Sequence, residues 1–173
     1  MEKEEKQNNF SVDFKLTDVQ KRIVAEVTNL IIPKTDTVGA LETGVPQFIE
    51  MMLKDCYSKL EHTNFIAGID ELEKLNFLEM DNLTKSNALR DLEIRTKKVI
   101  HERNVNVRKG DSIKQEPIGT QSKGLPFWRL MKELTLLGYF TSEKGIKENF
   151  EYVQVPGKLE NIKIKPNQKS FAY

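Results

Sequence analysis

Residues 127–145 read "FWRLMKELTLLGYFTSEKG". Ten of the fourteen positions from Phe127 to Phe140 are apolar or aromatic, counting Gly138 and Tyr139. A helix that only lines a core needs one apolar stripe, with its opposite face left polar. A helix this apolar is either buried on both sides or keeps one side for a partner. At ~100° per residue, Phe127, Leu130, Met131, Leu134 and Leu137 share an arc of about 120°, the face expected to dock on the core. Gly138 lies in the same arc, where its missing side chain should let another helix approach closely. Trp128, Thr135 and Tyr139 point the other way, with Leu125 and Leu136 at the margin and Lys132 among them. Two covers are open for this second face. One is the C-terminal arm, through Val153 and Val155. The other is a partner protein meeting Trp128, Thr135, Leu136 and Tyr139, since exposed aromatic patches mark interfaces and Trp and Tyr dominate hot spots.

The preceding segments supply helices to pack against. Thr17 and Gln20 have capping-box spacing. Val19, Ile23, Val27, Leu30 and Ile31 then recur on one helical face until Pro33 stops it. A turn-rich connector, "PKTDTVGALETGVP", leads to Pro46, which suits the start of a second helix. That helix is expected to bury Ile49, Met52, Leu53, Cys56, Tyr57 and Leu60. A third helix over about 63–79 offers Phe65, Ile69, Leu72 and Leu75. A fourth is expected to begin with Thr84 as N-cap and to use Leu89, Leu92, Val99 and Ile100. From about 104 to 124 the helical period dissolves into polar residues, glycines and Pro117, which predicts a long loop. After the quoted helix (about 125–140), Thr141 or Ser142 caps a short one. "FEYVQVPGKLENIKIKP" then alternates Val153 and Val155 with Ile162 and Ile164 around Pro156-Gly157, as an extended arm or short hairpin does. The expected fold is all-α: a single-domain bundle of five or six helices with an extended C-terminal arm or short hairpin. Residues 1–14 form a flexible polar lead, and 15–173 the helical domain, with its arm at about 150–173.

Composition narrows the function. The 173 residues carry a formal net charge of +1, so the whole-molecule field argues for neither nucleic acid nor a membrane surface. No stretch reaches the ~18 apolar residues of a membrane span. The lead "MEKEEKQNN" has no apolar core, so no secretory signal is expected in the chain as written. The single cysteine, Cys56, excludes a disulfide framework within the chain and reads as a buried structural thiol. His62 and His101 stand in charged surroundings and read as surface histidines. No phosphate-binding glycine loop, no metal-ligand spacing and no paired carboxylates appear, so no catalytic, cofactor-binding or metal residue is assigned. Charge is uneven: residues 61–81 hold six acids against Lys74, and 95–123 hold eight bases against three acids. Two solvated surfaces explain this; a basic segment engaging RNA, DNA or an acidic partner is the sharper reading. No aromatic residue is interleaved there to stack on bases.

Three stretches, "DTVGALETGVPQFIEMML" (36–53), the quoted helix with its extension (127–145) and "YVQVPG" (152–157), together resemble the gluconate 2-dehydrogenase subunit 3 family. The lead-in "LTDVQKRIVAEVTNLIIP" (16–33) resembles that family's first helix, so the likeness spans about 16–157 and is weakest over 85–124. The resemblance implies a non-catalytic small subunit of a membrane-associated, flavin-dependent sugar or gluconate dehydrogenase. FAD and the substrate site would lie in a large partner subunit, and a cytochrome c subunit would often carry electrons onward. The small subunit would support stability, assembly or export of the large one, in the periplasm. The family's twin-arginine signal is not seen in this chain, so the periplasmic location follows from resemblance alone. Two other readings compete. One is a free-standing enzyme or ligand-binding protein with a crevice near Glu42, Arg129 and Glu133. The other is nucleic-acid binding through 95–123.

Overall fold

The computed structural model describes residues 14–109, 124–153 and 166–172, with 157 and 163 besides. Thr17 caps helix α1 (Asp18–Ile31) through the expected reciprocal box with Gln20. Ile23, Val24 and Val27 are buried from this helix, whereas Val19 is exposed. A connector ends at Gly44, whose φ of 73° lies in the left-handed region that glycine adopts without penalty. Helix α2 (Val45–Cys56) starts there with Pro46 in its first turn. It ends earlier than the apolar row through Leu60 implies. The chain breaks at Tyr57, and Ser58 opens α3 (Lys59–Lys74) with a second capping box, to Glu61. The expected third helix at 63–79 is therefore α3 plus a separate 3₁₀ turn, Phe77–Glu79, that buries Phe77.

Helix α4 runs Asn82–Lys109, so residues 104–109 of the expected loop are helical; residues 110–123 lie outside the described residues. Its start is also one turn different from expectation. Asp81, not Thr84, takes the amides of Leu83 and Thr84 on its carboxylate. The Thr84 hydroxyl and amide hold the Asp81 carboxyl below its ordinary 3.8. A depressed acid stabilises the fold fully above its ordinary value and loses that contribution as pH falls through the lower folded one. Asp81→Ala should therefore speed amide exchange at Leu83 and Thr84 near neutral pH, while Asp81→Asn, an equally good cap, should not.

Helix α5 (Phe127–Thr141) packs against each of the other five helices, including α6 (Glu143–Asn149), which Ser142 caps. This answers the question posed by its composition: Leu130, Met131 and Leu134 are sealed on one side, Thr135 on another. Glycine sets two close approaches to it. A Cβ on Gly138 would meet Phe48 Cδ1 at 2.6 Å, so α2 comes close where the sequence left a gap. A Cβ on Gly68 would collide with Phe127 at its Cβ and Cγ. Alanine gains ~1 kcal/mol over glycine in a helix interior. At Gly138 that gain roughly offsets a displacement of the half-buried Phe48 ring. At Gly68 the obstacle is the root of a buried side chain, which cannot swing away. Gly68→Ala should thus be net destabilising, by ~1–3 kcal/mol, measurable as a lower denaturation midpoint.

The arm returns to itself through two short strands, β1 (Phe150–Tyr152) and β2 (Ser170–Ala172), paired in parallel with Phe150 opposite Ser170 and Tyr152 opposite Ala172. Parallel pairing needs a crossover rather than a tight turn. Val155, Ile162 and Ile164 lie outside the described residues. The described architecture is mostly helical, and no described helix is long and apolar enough to cross a membrane.

Candidate partner interface

The second face of α5 is covered from within the chain over most of its length. Trp128 is 7% exposed and Tyr139 3%. Trp128 sits beside Leu92 and Val99 of α4, with the Lys132 ammonium 5.9 Å from its ring centroid. Tyr139 donates from its hydroxyl to the Val38 carbonyl at 2.9 Å and accepts from Asn149 Nδ2 at 3.2 Å. Thr135 spends its hydroxyl on the Met131 carbonyl one turn back, at 2.6 Å. Of the four residues read as a partner surface, three are thus inward. Among the described residues the cover comes from α4, α6 and the 33–44 connector; Val153 is half-buried, and the expected cover by Val155 lies outside the described residues.

Leu136 remains on the surface, and it is not alone. Leu136 is 40% exposed, Leu137 45% and Phe140 40%. With Arg129 and Glu133 they lie within an arc of about 100° at ~100° per residue. The face is graded along the helix. It opens with an ion pair, Arg129 Nε to Glu133 at 2.7 Å, and continues as three large apolar side chains. The Phe140 ring meets Tyr139 and Phe150 edge-on, at centroid distances of 5.1 and 5.8 Å. Phe150 begins β1, and Tyr152, two residues on and on the same side of the strand, is 56% exposed. The apolar surface therefore extends from α5 onto the arm. Leu137 was expected in the core; it faces solvent because the arc assigned to the core was drawn too wide.

Two other expectations are corrected. Cys56 is exposed, as the last residue of α2, and its thiol lies 4.0 Å from Met52 Sδ. His62 is buried, not on the surface. Phe14 stacks on its ring at 4.3 Å, and Nε2 donates to the Leu53 carbonyl at 2.6 Å. That carbonyl belongs to the last turn of α2, where the helix offers it no amide, so His62 ties the end of α2 to α3. Of the lead, only Phe14 is described. His101 is exposed.

Glu42, Arg129 and Glu133 do not form one crevice. Glu42 accepts from the Gly39 amide at 3.0 Å and pairs with Lys34 at 3.5 Å, its carboxyl held below the ordinary range by backbone amides and Lys34. It lies at the C-terminal end of α5, where Lys144 donates to its carbonyl. Arg129 lies toward the other end, about 15 Å along the helix from Tyr139. Among the described residues, no three His, Cys, Asp or Glu side chains come together as a metal site. In the basic segment, Arg95 pairs with Glu71 at 2.7 Å and Lys97 with Glu93 at 2.8 Å, so part of the charge asymmetry is satisfied between α3 and α4 or within α4.

No curated protein and no solved structure matches the chain. Residues 18–157 do match the family described as gluconate 2-dehydrogenase subunit 3. That span runs from the first residue of α1 past β1, and takes in the whole of α5 with its exposed face. On a match over most of its length, the chain belongs to the gluconate 2-dehydrogenase subunit 3 family.

Proposed function

We propose that this chain is the non-catalytic small subunit of a periplasmic, FAD-dependent gluconate or sugar dehydrogenase complex. It docks on the large flavoprotein subunit and supports that subunit's stability, assembly or export. The single observation that carries the reading is family membership over 18–157. The exposed apolar end of α5 supports it, because contiguous apolar side chains on a soluble surface mark interaction sites. FAD and the substrate belong in this reading to the large subunit, with a cytochrome c subunit as the onward electron carrier.

The test is reconstitution. The purified chain alone should bind no FAD and oxidise no sugar or sugar acid. Mixed with the flavin-carrying large subunit, it should co-elute in fixed stoichiometry and raise that subunit's thermal midpoint, as any partner that binds only the folded form does. Turnover by the isolated chain would instead favour the free-standing enzyme. Fractionation of the intact cell should place the complex in the periplasm.

A further inference from the structure

The two strands of the arm leave an edge open. β2 pairs with β1, and among the described residues no third strand joins the sheet. β1 is also held by α6 and by the Phe150 ring against Phe140, whereas β2 packs chiefly on β1. Successive residues of a strand turn their amide and carbonyl to opposite edges. Either Phe171 alone or Ser170 and Ala172 together therefore face outward, with both groups unpaired by the sheet. Proteins commonly guard such an edge with charged side chains or proline. β2 has neither: its residues are Ser, Phe and Ala, and the adjacent Lys169 donates to the Lys147 carbonyl at 3.4 Å. Ser170 and Phe171 are both exposed. Two strands are also short of the three that make a sheet stable by itself.

The chemistry of this edge defines what it takes. Amide N–H and carbonyl groups set in one line are matched by another extended backbone, which offers the same groups at the same spacing. Three residues are too few to hold a free peptide, so the added strand must belong to something already seated nearby. The neighbouring surface is the apolar face of α5. The Phe140 and Phe150 rings are 5.8 Å apart between centroids, and β2 lies one strand spacing, ~4.8 Å, from β1. We propose that an extended segment of the large partner subunit, seated on that face, continues past Tyr152 and adds to the outer edge of β2 as a third strand. This rests on the subunit reading given above and names the form of the segment that docks. Joined to a partner already bound, the strand forms at high effective concentration, which lets a short edge contribute. A second copy pairing through β2 would bring only the same three residues and leave Leu136, Leu137 and Phe140 uncovered. β2 lies beyond residues 18–157, so this contact is separate from what family membership carries.

Amide exchange reads the edge directly. Uniformly ¹⁵N-labelled chain is followed by nuclear magnetic resonance, alone and with the unlabelled, purified flavin-carrying subunit, while size exclusion reports complex formation. In the free chain the outward amides of β2 should exchange fast. In the complex they should slow about tenfold or more, at Phe171 alone or at Ser170 with Ala172, because the alternate amides already face β1. Phe171→Lys guards the edge. Phe171 stands opposite Glu151, on the face turned away from Phe150 and Tyr152. The new ammonium therefore lies beside a carboxylate, and the apolar face is untouched. The variant should keep the wild-type melting curve and weaken the complex about tenfold. A complex that forms with β2 exchange unchanged, or one that Phe171→Lys assembles with full affinity, overturns the added strand and leaves the subunit reading standing. If every β2 amide is already slow in the dilute free chain, the edge is covered from within and the added strand is overturned as well. Protection that rises with the concentration of the free chain alone overturns it in favour of self-pairing. If the wild-type chain and the large subunit form no complex at all, the subunit reading fails, and the added strand fails with it.

Discussion

Leu134→Ala should lower the folding stability of the isolated chain by ~2–5 kcal/mol, and Trp128→Ala should cost ~3 kcal/mol, the low end of the range for a buried large aromatic. Leu134 is 1% exposed, between Leu130 and Met131 on the one helix that touches all five others. Trp128 is nearly as buried, but two features soften its loss. An open cleft beside it, between α3, α4 and the start of α5, gives the surroundings room to relax, and its removal takes away a buried indole donor that is unpaired among the described residues. Urea unfolding of the two variants measures both costs, with an unchanged slope showing that the midpoint shift is stability alone. A Trp128→Ala curve superimposable on wild type would mean that the indole adds nothing to the core. It would then have to be counted as surface held for a partner.

The helices were legible where burial and helicity coincide. Ile23 and Val27, Ile49 and Leu53, and Phe65, Ile69 and Leu72 fall in phase and are all buried. The misreadings occur where the two separate. Leu60 is in phase with α2 yet belongs to α3, and the Ser58–Glu61 capping box that divides them was present in the sequence as "SKLE". From Ile94 to Glu102 the residues of α4 are mostly exposed, so no apolar period marks the helix, although it continues to Lys109. An apolar period records a buried stripe, and a solvated helix has little of one.

The candidate site was harder to read because its cover comes from distant sequence. Nothing near His62 announces that Phe14 stacks on it, and its neighbours Lys59 and Glu61 suggest solvent. Nothing near Trp128 announces α4, or near Tyr139 the Val38 carbonyl. An apolar helix shows that several faces need cover; only the packing of other elements shows which faces receive it. What remains uncovered is a remainder, Leu136, Leu137 and Phe140, and a remainder is known only after the rest is placed.

That remainder sets the second large effect. Leu137→Asp should leave the isolated chain's stability within about ±0.5 kcal/mol, as surface substitutions do, because Leu137 is 45% exposed. It should nevertheless weaken binding to the large subunit by ~2–4 kcal/mol, roughly 30- to 1000-fold, if this face is the centre of the interface. Phe140→Asp should act alike on binding, with an added stability loss of ~1 kcal/mol from its edge-on contacts with Tyr139 and Phe150. Exposure alone cannot be the cause, so the comparison is Leu83→Asp on α4. Leu83 is 71% exposed and outside the α5 patch, and its substitution should change neither quantity. Titration calorimetry of the three variants against the large subunit separates the cases. Wild-type affinity in both α5 variants would remove this face from the interface. Equal losses in all three would show that added negative charge, rather than a lost apolar contact, drives the change. Loss in the α5 pair alone identifies the side that the bundle leaves open as the side the partner covers.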